Sequence, residues 1–318
     1  MIKLTRLPLY LATGILLAGL NPLTADPLKP DADYAFQGEY AGVIAGQFDV
    51  GAQVIALGDS KFRLVLYPGG LPGAGYDGSA EKREYDGARD GDTITFTGGT
   101  TGKSITGGKL TFSRDGQEFA IDRTVRKSPT LGAKPPEGAV VLFDGKSAKN
   151  FKPGRMTETG LLMQGANSIR KFQSHKLHLE FRLPYEPKKR GQARGNSGCY
   201  MQARYEVQML DSFGLAGRDN ECGGIYSIAA PDTNMCLPPL QWQTYDIDFT
   251  AAKYDKDGKK TANARATVRH NGVVIHDNVE LPKRTAASPL AEGPEPGFLH
   301  LQDHGNQVRY RNIWVVEK

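Results

Sequence analysis

The sequence predicts an all-β protein: a small antiparallel β domain followed by a larger two-sheet jelly-roll sandwich. Three observations carry that expectation. Gly and Pro account for 38 and 19 of the 318 residues, which favours turns and short strands over long helices. Apolar residues recur with period two in many short runs, and no 3.6-residue period is sustained. Between two such regions lies SPTLGAKPPEG, residues 128–138, which has no apolar period and reads as a linker.

The chain opens with a candidate leader. Lys3 and Arg6 precede an uncharged run from Leu7 to Leu20, and the small Ala25 stands before Asp26. Residues 1–25 therefore read as a secretory signal peptide, with an uncleaved anchor as the alternative. The run is shorter than the ~20 residues a spanning helix needs, and no other stretch could cross a bilayer. No Cys stands at the cleavage point, so a lipid anchor is not expected. The expected location is periplasmic or extracellular.

Lys and Arg number 40 and Asp and Glu 35, a net charge of +5 that falls to +3 once Lys3 and Arg6 leave with the leader. That is too little for a nucleic-acid footprint, and no basic run exceeds Lys188-Lys189-Arg190.

The first domain, about 34–127, carries alternating runs such as Gln53–Leu57, Phe62–Tyr67 and Thr93–Thr97. Turn signals separate them, among them Gly58-Asp59, Pro68-Gly69-Gly70 and Asp115-Gly116. Its 71–78 loop is Gly-rich but matches no phosphate-binding pattern, and no chemistry is read in this domain.

The second domain, 139–318, repeats the device on a larger scale. His175–Leu183 sets Leu177, Leu179 and Phe181 against His178, Glu180 and Arg182. Arg204–Leu210 sets Tyr205, Val207 and Met209 against Glu206 and Gln208, and Phe298–His304 sets Leu299 and Leu301 against His300, Gln302 and His304. Asn271-Gly272 between two apolar runs marks a type I′ hairpin. Trp242 and Trp314 lie in strands, where core packing is expected, and His175 and His270 are read as surface or turn residues. Cys222 and Cys236 flank a Gly/Pro-rich loop of 13 residues and are the natural disulfide pair, worth about 3 kcal/mol in the chain-entropy model. Cys199 stays free, and three reduced thiols are the alternative.

The polar strand faces supply the candidate chemistry. Glu206, Glu180 and His304 are the acid/base candidates, and Gln208, Asn196, Gln302 and Arg311 the groups to hold sugar oxygens. Glu pairing with sheet Arg, such as Arg182 or Arg311, is the structural alternative. No cofactor follows with certainty. A divalent metal is compatible, with Glu206 and Asp211 as ligand candidates. The run Glu206-x-Gln208-x-x-Asp211 resembles the E-x-D-x-x-E strand of laminarinase-like glycosidases, but Gln replaces the central acid and Asp the distal one.

Seven stretches in order carry a broader resemblance: VVLFDGKS (140–147), HLEFRLP (178–184), GNSGCYMQARYEVQMLDSFG (195–214), CGGIYSIAAP (222–231), WQTYDIDF (242–249), VRHNGVVIHDN (268–278) and LQDHGNQVRYRNIWV (301–315). Residues 139–318 thereby resemble the 3-keto-disaccharide hydrolase family of secreted bacterial proteins. The resemblance implies a concanavalin-like jelly roll and cleavage of 3-keto-glycosides, by hydrolysis or by β-elimination and hydration. The substrate expected is an oligosaccharide or glycoside. A non-catalytic carbohydrate-binding jelly roll is the alternative, although sugar-binding grooves usually present exposed aromatic platforms. The first domain falls outside the resemblance.

Overall fold

The computed structural model describes residues 30–318, so the leader read over 1–25 lies outside the described residues. Among the described residues there is no α-helix, only 3-10 turns at Ala32–Ala35 and Gly191–Ala193. No helix there is long and apolar enough to cross a membrane. The all-β expectation holds.

The first domain contains β1 (Gly38–Ile44), β2 (Phe48–Gly58), β3 (Lys61–Pro68), the short parallel pair β4 (Leu71–Pro72) and β5 (Gly75–Tyr76), β6 (Arg83–Asp90), β7 (Thr93–Phe96), β8 (Gly102–Thr106), β9 (Lys109–Arg114) and β10 (Gln117–Thr124). The eight longer strands pair in chain order, and β10 returns to β1 with Thr124 opposite Glu39, closing an up-and-down barrel. Closure leaves no open edge. The β9–β10 turn, Asp115-Gly116, takes positive φ at both residues (52° and 77°), as a two-residue I′ hairpin requires. Ala52, Val54, Phe62, Leu64, Ile94, Ile105 and Leu110 fill the interior. The outward residues Ile55, Val65 and Tyr67 of β2 and β3 instead join the core of the second domain.

That domain is a two-sheet sandwich built from β11 (Val140–Phe143), β12 (Phe151–Lys152), β13 (Leu162–Met163), β14 (Ala166–Phe172), β15 (His175–Arg182), β16 (Ser197–Met201), β17 (Tyr205–Met209), β18 (Trp242–Thr250), the ribbon β19 (Lys253–Tyr254) and β20 (Lys260–Ala262), β21 (Ala264–His270), β22 (Val273–Leu281), β23 (Gly297–Leu301) and β24 (Arg309–Glu317). A seven-stranded sheet runs β11-β24-β15-β18-β21-β22 with β13 on β24, and a five-stranded sheet runs β12-β14-β23-β16-β17. Leu177, Leu179 and Phe181 of the first and Cys199, Val207 and Leu301 of the second are buried in one shared core.

The connection between the domains is tied down. It crosses the outer face of the seven-stranded sheet, where Thr130 Oγ1 donates to Asp246 Oδ2 (2.6 Å) and the Gly132 N–H to Glu180 Oε1 (2.6 Å). Across the interface, Tyr185 of the sandwich packs into the barrel core and donates to Asp31 Oδ1 (2.8 Å).

Several expectations are corrected here. Cys199, Cys222 and Cys236 are all buried free thiols. The expected Cys222–Cys236 bond is not formed: Cys222 Sγ meets Tyr245 Oη (3.3 Å), and Cys236 Sγ meets the Leu210 and Leu237 carbonyls. The two buried thiols still interact with each other, without a covalent bond between them. His175 and His270 are buried, not superficial. Trp314 leaves the core for the outer face, where it stacks on His178 with centroids 4.9 Å apart. Trp242 stands on the same face beneath Arg311, 4.0 Å from the ring centroid.

Candidate active site

The outer face of the five-stranded sheet carries a polar row. Alternation along β16 sends Cys199 and Met201 into the core, so Gly198 and Tyr200 point outward. On β17 the same alternation turns Glu206 and Gln208 outward, and on β23 His300. Register then aligns Asn167, His300, Tyr200 and Glu206 across four neighbouring strands. His300 and Glu206 stand two strand spacings apart, roughly 10 Å between backbones.

Glu206 is the chemically distinctive member. It is 2% exposed, and burial lifts its carboxyl from 4.5 to about 8, with a hydrogen bond from Tyr200 only partly offsetting the rise. With its amide oriented to satisfy its surroundings, Gln208 donates to Glu206 Oε1 (3.0 Å) and to Ser197 O (2.7 Å). Gln302 Nε2 donates to Tyr200 Oη (3.0 Å). Among the described residues Glu206 thus has neutral donors and no cation, which leaves the desolvation of its charge uncompensated. Gly198 makes the space: a Cβ there would overlap Glu206 Oε1. The backbone N–H of Glu206 donates to Thr285 Oγ1 (3.0 Å). Thr285 also lines a cavity of about 290 Å³ with Tyr226, Ser227, Lys283 and Arg284.

His300 contacts Asn167 Oδ1 through Nδ1 (2.6 Å), and its ring centroid lies 5.0 Å from that of Tyr200. Burial lowers its pKa to about 4. A neutral ring donating Nδ1–H to Asn167 leaves Nε2 as an acceptor near neutral pH.

Glu180 does not join this row. It lies on the outer face of the other sheet, beneath the interdomain connection. Burial alone would raise it, but contacts from His178, Asn312, Arg311 and the Gly132 N–H hold it at about 2. Arg311 donates Nε–H to Glu180 Oε2 (2.6 Å), so both expected site residues serve that sheet and its strap. Glu180 and Glu206, both offered by the sequence as acid/base candidates, therefore lie on different sheets and do not share a site.

His304 is exposed in the turn after β23, and among the described residues no hydrogen bond joins it to Glu206. Asn196 is buried near Gln208 and donates to the Gln192 carbonyl (2.8 Å), while its own Oδ1 has no partner. Asp211, a candidate metal ligand, is instead bound by Arg194 Nε (2.6 Å), whose guanidinium also reaches Ala56 O of the barrel. That ion pair engages Oδ2, while the buried Oδ1 has no hydrogen-bond partner. Among the described residues no group of three or more His, Cys, Asp or Glu is placed to hold a metal ion.

Sequence reasoning missed Tyr200 and Asn167 and undervalued His300. Tyr200 sits in the alternating run GCYMQA, whose parity already set it opposite Cys199 and Met201. The pairing that brings β14, β16, β17 and β23 side by side was not in the sequence pattern.

Residues 138–316 match the family model of the 3-keto-alpha-glucoside-1,2-lyase-like domain. The chain belongs to this family. The lyase-like domain covers the whole sandwich and excludes the barrel, and it places the sandwich among carbohydrate-active domains. Among solved structures, the domain is similar to a candidate glycosyl hydrolase from Parabacteroides distasonis ATCC 8503. Identity is 29% and the TM-score 0.53, over 57% of this chain and 85% of that one. A second candidate glycosyl hydrolase from the same organism is 19% identical with a TM-score of 0.40, over 57% and 94%. No match is found among curated proteins.

Proposed function

We propose that the sandwich domain cleaves 3-keto-glycosides by proton transfer, with Glu206 at its centre. A ketone at C3 acidifies the C2–H. A base removes that proton, and the resulting enolate expels the C1 substituent while an acid protonates the leaving oxygen; water then adds back. Such chemistry needs one group that is protonated and one that is not at the same pH. The observation that carries the reading is the pairing of environments on one sheet face. Glu206 retains its proton near neutrality, and His300 does not. Glu206 is assigned the leaving-group proton, His300 Nε2 the C2 proton, and Gln208, Gln302 and Tyr200 the substrate oxygens. Family membership supports the substrate class. The leader read in residues 1–25 supports action outside the cytoplasm.

The test is glucose release from 3-keto-trehalose. Glu206→Gln is expected to lose about 10²–10⁴-fold in turnover while binding persists. The unoxidised disaccharide is expected to react far more slowly, because its C2–H is not acidic. Near-wild-type turnover in Glu206→Gln places the proton transfer elsewhere. Binding without turnover by the wild-type protein favours a non-catalytic carbohydrate-binding domain.

A further inference from the structure

The barrel outside the matched domain is filled at one end and hollow at the other. At the filled end, Phe36 and Tyr40 lie with Phe62, and Tyr185 of the sandwich adds to the plug. At the opposite end a cavity of about 560 Å³ opens between the strands. That volume is within the range of small-molecule sites, and eight strands can enclose one small ligand.

The cavity has an apolar wall and a cationic lip. Ile44, Val50, Leu66, Phe112 and Phe119 line it, and Phe48, 59% exposed, stands at its edge. An exposed Phe at a hollow entrance is the kind of apolar surface that marks a binding site. Strand parity adds a second observation. Arg83 shares its face of β6 with Tyr85, Arg114 shares its face of β9 with Leu110 and Phe112, and all line the barrel side. Two arginines thus occupy inward-facing positions at the mouth, where apolar residues would otherwise complete the fill.

Lys103 also lines the cavity, but its ammonium is already engaged. It donates to Gly98 O (2.8 Å) and Thr101 O (2.7 Å) and lies 3.8 Å from the Tyr85 ring centroid. Arg114 has only the exposed Asp115 beside it (3.4 Å), and no ion pair engages Arg83 among the described residues. Asp49 is a lone acid on the same lip. The lip therefore favours a negative head group, and the interior an apolar body.

We propose that the open end of the barrel binds a single-chain amphiphilic carboxylate of the fatty-acid type, tail inward and carboxylate at Arg83 and Arg114. This site is separate from the Glu206 face, and its test does not depend on the proposed reaction.

The experiment is calorimetric titration of the full-length mature protein with dodecanoate below its micellar concentration, with dodecanol and dodecyltrimethylammonium as neutral and cationic probes. Dodecanoate is expected to bind one to one and more tightly than either. Arg83→Ala/Arg114→Ala changes exposed side chains, so the fold should survive. It is expected to weaken dodecanoate about threefold to thirtyfold, the sum of two exposed ion pairs, and to leave dodecanol unchanged. Leu66→Trp, which fills the interior, is expected to abolish binding of every probe, with circular dichroism reporting that the barrel remains folded. Absence of dodecanoate binding to the folded wild-type protein overturns the proposal. So does equal binding of carboxylate and alcohol with no effect of the double substitution. A protein that fails to bind dodecanoate but dimerises, and becomes monomeric on Phe48→Ser, overturns it in favour of an interface between copies.

Discussion

Glu206→Gln should make the protein more stable as it makes it less active, and the gain should grow with pH. The folded protein holds the Glu206 carboxyl at about 8 against an ordinary 4.5. Between those values the native state keeps a proton that the unfolded chain has released, so stability falls as pH rises. The favourable contribution is complete below 4.5 and lost by the time pH passes 8. At ~1.4 kcal/mol per pH unit, the accumulated cost reaches at most about 3 kcal/mol at pH 7 and about 5 kcal/mol above pH 8. Gln resembles the protonated acid in shape and does not titrate, so the variant escapes this cost. The assay is urea unfolding of both proteins at pH 5, 7 and 9. The expected difference in favour of Glu206→Gln is under ~1 kcal/mol at pH 5 and a few kcal/mol at pH 9. A difference that is flat with pH, or a variant less stable at pH 9, refutes the claim that a lone buried carboxyl sits at this position.

Further outcomes follow from the same geometry. Gly198→Ala should drive a methyl group into Glu206 Oε1, costing about 1–3 kcal/mol in thermal or urea unfolding and most of the glucose-release activity. His300→Phe should keep the ring packing against Tyr200 but remove Nε2, lowering turnover on 3-keto-trehalose by about 10²-fold or more with a small stability change. Glu180→Gln should cost about 1–3 kcal/mol in urea unfolding, because Arg311, 38% exposed, is partly screened by solvent and His178 keeps Asp246 as a partner. For His178, burial alone would lower the pKa, but contacts with Asp246 and Glu180 prevail and raise it above 6.5. Its contribution is full below 6.5 and lost as pH rises through the higher folded value, a slope that His178→Gln should remove from the pH–stability profile.

The strands were legible because one-sided burial writes period two into the sequence. His175–Arg182, Tyr205–Met209 and Trp242–Thr250 are strands, and Asn271-Gly272 makes its turn with positive φ at both residues (51° and 83°). Closure of the first domain was not legible, since the contact of β10 with β1 spans the domain and leaves no local signature. The histidines and tryptophans misled for a related reason. Period two assigns a face but not what covers it, and the strap at 128–133 converts an outer sheet face into a second interior for His178 and Trp314.

Glu180 and Glu206 show why the site was only half readable. Both follow an apolar residue and precede one on an alternating strand, and both are almost completely buried. Their chemistry is opposite because their neighbours are. Glu180 faces a cation, an imidazole, an amide and a backbone N–H, so its charge is compensated and its carboxyl falls to about 2. Glu206 faces a phenol and an amide, so burial dominates and its carboxyl climbs to about 8. His178 and Gln208 come from the same strand as their glutamate, but Tyr200 arrives from β16, Arg311 and Asn312 from β24 and the Gly132 N–H from the strap, pairings the sequence does not encode locally. A carboxyl held by charges is committed to structure, because removing its proton costs nothing further and restoring it breaks the set. One left uncompensated can exchange its proton near neutral pH, as acid/base catalysis requires. Of the two carboxylates the sequence offered, only Glu206 has the environment for that exchange.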